Sequence, residues 1–161
     1  MKIFIKMFSG VIFFAYICNS IILIMQFNEH PEKRTDINHF KNTIIEKYLY
    51  ERINILDEFI ENAEKQGKEV YILEFSAAIY NVPLDKYYKN YDMFNLGNFG
   101  GKGEDGIIED LAQKGNAVFL IKKREFAQNW QHPSRVTDYV EANYKKVGEV
   151  SIYNVFTKEN L

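Results

Sequence analysis

The sequence predicts an α/β fold in which one N-terminal transmembrane helix precedes a small, mostly parallel sheet covered by helices. Two short apolar runs rich in β-forming residues, 68–75 and 116–123, are typical of buried strands. A segment with the apolar spacing of a helix precedes each of these runs. Because strands that alternate with helices are joined by right-handed crossovers, we expect the strands to run parallel.

The transmembrane helix is predicted from residues 7–25, which are nineteen residues without a charged side chain. At about 1.5 Å of rise per residue, such a helix roughly matches the ~30 Å hydrocarbon core of a bilayer. The apolar run is longer than that of a cleaved signal peptide, which favours a retained anchor over 1–27. Lys2 and Lys6 precede the span, so the N-terminus is expected in the cytoplasm and the remainder outside. The chain is thus predicted to be a single-pass protein of the cell membrane.

After a polar linker over 28–36, residues 37–161 are predicted to form one extracytoplasmic α/β domain. A long helix is expected to begin after Asp36 and to end at Gly67, because apolar residues recur there at spacings of three and four. Two shorter helices and a last strand complete the domain, and they are predicted at 104–114, from Pro133 to Gly148, and at 149–158.

The charge and the composition exclude several classes of function. The chain carries 20 Lys and Arg against 22 Asp and Glu, a formal net charge of −2, so it lacks the basic footprint of a nucleic-acid-binding protein. The single cysteine, Cys18, excludes an intrachain disulfide. The three histidines are scattered and have no metal-ligand spacing, so no metal or other cofactor is predicted.

A glycine-rich stretch, 101–106, matches the letters of the dinucleotide fingerprint G-x-G-x-x-G. That fingerprint requires a strand directly before the first glycine, whereas the preceding predicted strand ends near Phe75. Glu104 and Asp105 also occupy the first turn of the following helix, where two carboxylates would repel a phosphate. We therefore expect no nucleotide at this loop, and we interpret its glycines as a hinge before the helix.

The loop over 76–103 is unusually rich in aromatic residues and in Asn and Asp. Tyrosine rings beside carboxamides suit carbohydrate recognition; the alternative, which is favoured, is that the rings close one end of the sheet or lie at a membrane interface. Glu74 is a weaker candidate, because it lies near the carboxyl end of the first strand, where open α/β sheets place their sites. The residues predicted to face a ligand are Tyr91, Asp92, Asn95, Asn98, Lys102 and Glu104.

The chain resembles a known family over about residues 1–161, and the motifs that support the resemblance lie from Gly67 onwards. Residues 67–111, 116–123 and 136–158 are similar to the C-terminal extracytoplasmic domain of polytopic membrane glycosyltransferases of the GT-C class, the lipid-phosphate-sugar-dependent group related to protein O-mannosyltransferases. The closing motif that supports this resemblance consists of Tyr139, Val140, Asn143, Tyr144, Val147 and Gly148.

The resemblance implies a small α/β domain that follows the last transmembrane helix, with residues 1–27 standing for that helix. Enzymes of this family carry their catalytic acids in an early loop between transmembrane helices, and no counterpart of that loop is found in this sequence. No catalytic residue is therefore carried over. The resemblance implies the tail of a glycosyltransferase without its catalytic part.

We therefore expect a chain that is not catalytic alone and that assists a membrane-embedded partner in handling a glycan or a protein acceptor at the lipid bilayer. Lys102 would neutralise an anionic group of the acceptor. The alternative is an envelope domain that binds or senses a saccharide or a peptide through the same loop. A third hypothesis is a hydrolase that uses Glu74 or Asp92. Neither nucleic acid nor a nucleotide is expected as a partner.

Overall fold

A computed structural model describes residues 16–22, 33–34, 36–41, 43–88, 90–126 and 132–158. The helices are α1 (16–22), α2 (Lys47–Lys65), α3 (Ala78–Asn81), α4 (Gly103–Gln113) and α5 (Ser134–Asn143). The strands are β1 (Lys33–Arg34), β2 (Ile44–Ile45), β3 (Glu69–Leu73), β4 (Ala117–Lys122), β5 (Lys145–Val150) and β6 (Tyr153–Thr157). Short 3₁₀ turns follow α3 and β4, at Val82–Leu84 and Arg124–Phe126.

The main sheet has four strands in the order β3-β4-β6-β5, and it is mixed rather than mostly parallel. Only β3 and β4 run parallel, whereas β6 is antiparallel to both of its neighbours. The predicted strand at 149–158 is in fact parts of two strands, which are joined by a tight turn at Ser151 and Ile152. The α/β layering is confirmed, but this hairpin makes the predicted parallel arrangement wrong.

Side chains alternate between the two faces of the sheet, and each face has its own core. Tyr71, Phe119 and Phe156 pack on one face with buried residues of α4 and α5. Ile72, Leu120 and Val155 pack on the other face with α2 and α3. This alternation is what a sheet with both faces covered requires. The helix α2 contributes a buried stripe at helical spacing, formed by Ile53, Leu56, Ile60 and Ala63.

The long helix begins later than predicted, at Lys47 rather than after Asp36. His39 has a φ of 63°, which a right-handed helix does not allow. Asn38 and His39 instead contact the carboxylate of Asp85, at 3.2 and 2.5 Å, so tertiary contacts override the helical spacing of this segment. The predicted end is confirmed, because Gly67 has a φ of 74° just beyond the helix.

The prediction of a membrane-spanning helix is wrong for the part of the chain that the structure describes. No helix within those residues is long and apolar enough to cross a bilayer. Within the predicted anchor 1–27 the structure describes α1 alone, whose seven residues span about 10 Å against a hydrocarbon core of about 30 Å. The rest of the anchor and most of the predicted linker 28–36 lie outside the described residues. The described residues therefore do not support the predicted single-pass topology or the predicted location in the cell membrane.

Candidate functional site

Of the predicted candidates, Glu74 lies at one edge of the sheet, where β3 and β4 end and β6 begins. Glu74 follows β3, Lys122 is the last residue of β4, and Tyr153 is the first residue of β6. The parallel pairing of β3 with β4 and the antiparallel pairing of Lys122 with Tyr153 bring these three residues together. We refer to this end of the sheet as the carboxyl edge.

Glu74 is the centre of a buried polar cluster on the α2 face of this edge. Its Oε1 accepts hydrogen bonds from Lys122 Nζ at 2.8 Å and from Ser76 Oγ at 3.0 Å, and its Oε2 accepts one from the Tyr153 hydroxyl. Burial, together with the charge of Glu74, raises the pKa of Tyr153. A carboxylate that is surrounded by internal donors holds the ends of three strands together.

Asp92 has a similar structural role in the aromatic loop. Its buried carboxylate accepts a hydrogen bond from Asn81 Nδ2 at 2.8 Å and another from the backbone N–H of Tyr88 at 2.9 Å. Its own carbonyl accepts a bond from the N–H of Ala78 at 3.0 Å. These contacts fix the loop against α3.

The ring of Tyr91 lies in the core rather than on the surface of the loop. It is stacked on Phe94, with the ring centroids 6.3 Å apart, and its hydroxyl donates to Asp110 Oδ2 at 2.5 Å. Burial and this carboxylate raise the pKa of the Tyr91 hydroxyl. Several other rings of the loop region are buried as well, namely Tyr80, Phe94 and Phe99. Most of the aromatic residues of this region thus belong to the two cores that cover the faces of the sheet.

Of the remaining predicted residues, Asn98 and Lys102 are exposed and Asn95 and Glu104 are partly buried. Asn98 is exposed, and its Nδ2 donates to the Met93 carbonyl at 2.8 Å. Lys102 is exposed and forms an ion pair with Glu109 at 2.9 Å. The Oδ1 of Asn95 and the Oε1 of Glu104 are shielded from water, and neither finds a hydrogen-bond donor among the described residues.

The need for glycine before α4 is borne out in part: Gly103 of the stretch 101–106 requires it, as do Gly97 and Gly100 just before that stretch. Gly97, Gly100 and Gly103 have φ values of 87°, 70° and 57°, a region that residues with a Cβ rarely adopt. Glu104 and Asp105 lie in the first turn of α4, as predicted. The glycines therefore shape the approach to α4.

Three apolar side chains are exposed beside the loop. Phe75, Met93 and Leu96 are 49, 52 and 46 % exposed. The backbone N–H of Phe94 donates to the carbonyl of Glu74 at 3.2 Å, which brings the loop segment that contains Met93 to the end of β3, next to Phe75 in sequence. The carboxamide of Asn98 is bonded to Met93. We call these four residues, Phe75, Met93, Leu96 and Asn98, the exposed patch.

A groove of about 650 Å³ lies on the opposite, α5 face of the carboxyl edge. Its lining is mostly polar and includes Lys123, Arg124, Thr137, Lys146 and Glu149. The ammonium groups of Lys123 and Lys146 each lie 2.6 Å from the carboxylate of Glu149 and lower its pKa to about 2. No residue pattern in the sequence indicates this groove.

His132 also lines the groove, and it is half-buried. Its Nε2 lies 3.0 Å from Thr137 Oγ1, and burial lowers its pKa below the usual value. Within the described ranges, no group of three or more His, Cys, Asp or Glu side chains has an arrangement that could hold a metal ion.

Comparisons of the chain with protein-family models, with curated proteins and with solved structures find no match. The class of the protein is therefore defined by its own fold, an α/β domain with a mixed four-stranded sheet. The resemblance to the tail of GT-C glycosyltransferases stays a prediction from the sequence.

Proposed function

We propose that this chain binds a saccharide at the exposed patch, and that it assists the handling of a glycan or an acceptor without being catalytic itself. The observation that carries the proposal is the patch: three half-exposed apolar side chains beside a carboxamide at the carboxyl edge of the sheet. In open α/β sheets this edge is the usual place for a ligand.

The composition of the patch suits a sugar ring. A pyranose has apolar C–H faces and a rim of hydroxyl groups, so its recognition needs an apolar platform next to hydrogen-bonding groups. Phe75 and Met93 offer the platform, and Asn98 offers the carboxamide. A carboxamide has two donor hydrogens and an acceptor oxygen, and the bond to Met93 uses one of the hydrogens.

The hydrogen bonds beneath the patch support binding because they fix its geometry before a ligand arrives. Asp92 fastens the loop to α3, and Phe94 fastens it to the end of β3. A surface that is already ordered loses less conformational entropy when it binds. The aromatic loop thus contributes a scaffold, while the contact surface consists of the residues that point outward.

The two acids considered for hydrolysis are occupied by internal contacts, which supports a role without catalysis. A general base has to come within hydrogen-bond distance of the proton that it removes. Glu74 is 8 % exposed and accepts from three donors, and Asp92 is buried and accepts from two. In the context of the glycosyltransferase resemblance, the partner would be a membrane-embedded enzyme acting on the same glycan.

Isothermal titration calorimetry with the full chain tests this proposal. The probes are soluble oligosaccharides of glucose, mannose, galactose and N-acetylglucosamine. Phe75→Ala should weaken the binding of the best oligosaccharide by about tenfold, because a ring removed from a contact surface costs on the order of 1.4 kcal/mol.

Ile55→Ala is the matched control, because Ile55 is 46 % exposed on α2 and lies outside the patch. This variant should bind as the unmodified chain does. The proposal would be overturned if no oligosaccharide gave a binding heat, or if the Phe75 and Ile55 variants bound equally well.

A further inference from the structure

We propose that the groove on the α5 face is a second site, which binds a phosphoryl group between Lys123 and Lys146. In the structure the carboxylate of Glu149 occupies the position between these two ammonium groups. Its Oε2 lies 2.6 Å from Lys123 Nζ, and its Oε1 lies 2.6 Å from Lys146 Nζ. Glu149 is thus an internal competitor that the phosphoryl group displaces. The site is separate from the exposed patch, and it does not depend on the proposed saccharide binding.

An irregularity in β5 builds this site. In a regular strand, residues three apart such as Lys146 and Glu149 point to opposite faces. Here the register shifts between Lys146 and Gly148, so that Lys146 pairs with Phe156 and Glu149 pairs with Asn154. Phe156 and Asn154 are two residues apart and share a face, so Lys146 and Glu149 share it too. Bulges of this kind often re-aim side chains next to functional sites.

Lys123 reaches the same place from the neighbouring part of the sheet. Its backbone N–H donates to the Ile152 carbonyl at 2.9 Å, which continues the pairing of β4 with β6 by one residue. Because side chains alternate along an extended chain, Lys123 points to the α5 face while Lys122 points to Glu74 on the other face. Two lysines from separate segments therefore converge on one point.

The local charge favours a dianion over the carboxylate that is present. Two ammonium groups and one carboxylate leave a local charge of about +1, whereas a phosphoryl group carries about −1.5 to −2 at neutral pH. The groove is also lined by the acids Glu125, Asp138 and Glu141, and Glu141 lies 3.4 Å from Arg124. The exchange of Glu149 for a phosphoryl group thus completes the neutralisation of the two lysines.

The groove also has room for more than the phosphoryl group. A volume of about 650 Å³ lies within the range of small-molecule sites, roughly 300–1,000 Å³. The hydroxyl groups of Ser134 and Thr137 and the carboxamide of Asn154 line it. These polar walls suit a hydrophilic phosphorylated compound.

A titration with inorganic phosphate, followed by the amide chemical shifts of the full chain, tests the site. Glu149→Gln removes the competing charge and should bind phosphate about tenfold more tightly than the unmodified chain. The control is Glu61→Gln on α2, which changes the net charge equally but lies 3.9 Å from Lys65 and outside the groove. The double variant Glu149→Gln with Lys146→Gln should lose the gain in affinity.

Vesicles of phosphatidylcholine with phosphatidic acid, in a co-sedimentation assay, distinguish a lipid phosphate from a free phosphorylated compound. Tighter binding of free phosphate by Glu149→Gln supports a soluble ligand, and tighter binding of the vesicles alone supports a lipid headgroup. The proposal is overturned if Glu149→Gln binds neither probe more tightly than Glu61→Gln does.

Discussion

Two glutamates at the carboxyl edge have the same kind of partner and very different surroundings. Glu74 lies 2.8 Å from Lys122, and its side chain is 8 % exposed. Glu149 lies 2.6 Å from Lys123, and its side chain is 48 % exposed. The two lysines are consecutive in the chain and point to opposite faces of the sheet. Two consecutive lysines therefore form one ion pair that is buried and another that is exposed to solvent.

The two carboxylates differ in whether water, salt or a ligand can replace them as the partner of the lysine. Removing one partner of a buried pair leaves a charge that water cannot reach, so a buried pair holds its surroundings in place. An exposed pair is weak because water and salt replace either partner. We therefore interpret Glu74 as part of the scaffold and Glu149 as a group that a ligand can displace.

The largest effect is expected from Glu74→Gln, which should lower the free energy of unfolding by about 3 kcal/mol. The substitution leaves Lys122 with a neutral partner in a largely buried position. Urea denaturation followed by circular dichroism measures the loss. The matched variant Glu149→Gln should leave the urea midpoint unchanged, and equal losses in the two variants would contradict the distinction between the two pairs.

A smaller effect is expected from Tyr153→Phe, about 1.5 kcal/mol, because it removes one hydrogen bond to the buried Glu74 carboxylate and keeps the ring. The same urea denaturation measures it. In the Glu74→Gln variant the Tyr153 hydroxyl no longer donates to a charged carboxylate. Tyr153→Phe should therefore lower the free energy of unfolding by less in that variant than in the unmodified chain. Full additivity of the two losses would argue against a shared cluster.

The smallest effect concerns Asp57 on α2, a carboxylate that is half-buried with one oxygen lacking a hydrogen-bond partner in the described residues. Burial, and secondarily the charge of Glu61, raises its pKa from 3.8 to about 6, while Lys86 acts in the opposite direction. Because the folded state holds this proton more tightly, the stabilisation is present below about pH 4 and is lost as the pH rises through about 6.

Asp57→Asn should therefore be more stable than the unmodified chain at neutral pH, by about 1 kcal/mol after allowance for solvent screening. The advantage should shrink as the pH falls towards 4. Urea denaturation at several pH values measures it. An advantage that does not change with pH would show that Asp57 does not titrate in this way, and that burial without a partner has no cost here.

The parallel strands and α4 were predictable because their patterns are local. The predicted run 116–123 contains β4, and 68–75 contains β3 with Glu74 and Phe75 just beyond its end. The helix predicted at 104–114 matches α4 to one residue at each end. The hairpin was missed because Ser151 has a φ of 51° at a turn position where Gly or Asn is the usual signal.

The candidate site was only partly predictable, because its contacts join distant parts of the chain. Glu74 was found from its place after a strand, but its partners Lys122 and Tyr153 are 48 and 79 residues away. The α5 groove depends on the irregularity in β5 after Lys146, which no residue pattern indicates. The exposure of Phe75 follows from where β3 ends, and a run of apolar residues does not specify that point.

The proposed saccharide binding at the exposed patch predicts which amide groups a ligand will perturb. The most direct measurement is a chemical-shift titration of the isotope-labelled chain with the oligosaccharide that binds best in calorimetry. We expect the largest amide shifts at Phe75, Met93 and Asn98, with Lys146 in the groove unchanged. Shifts concentrated in the groove, or the absence of saturable shifts anywhere, would contradict the proposal.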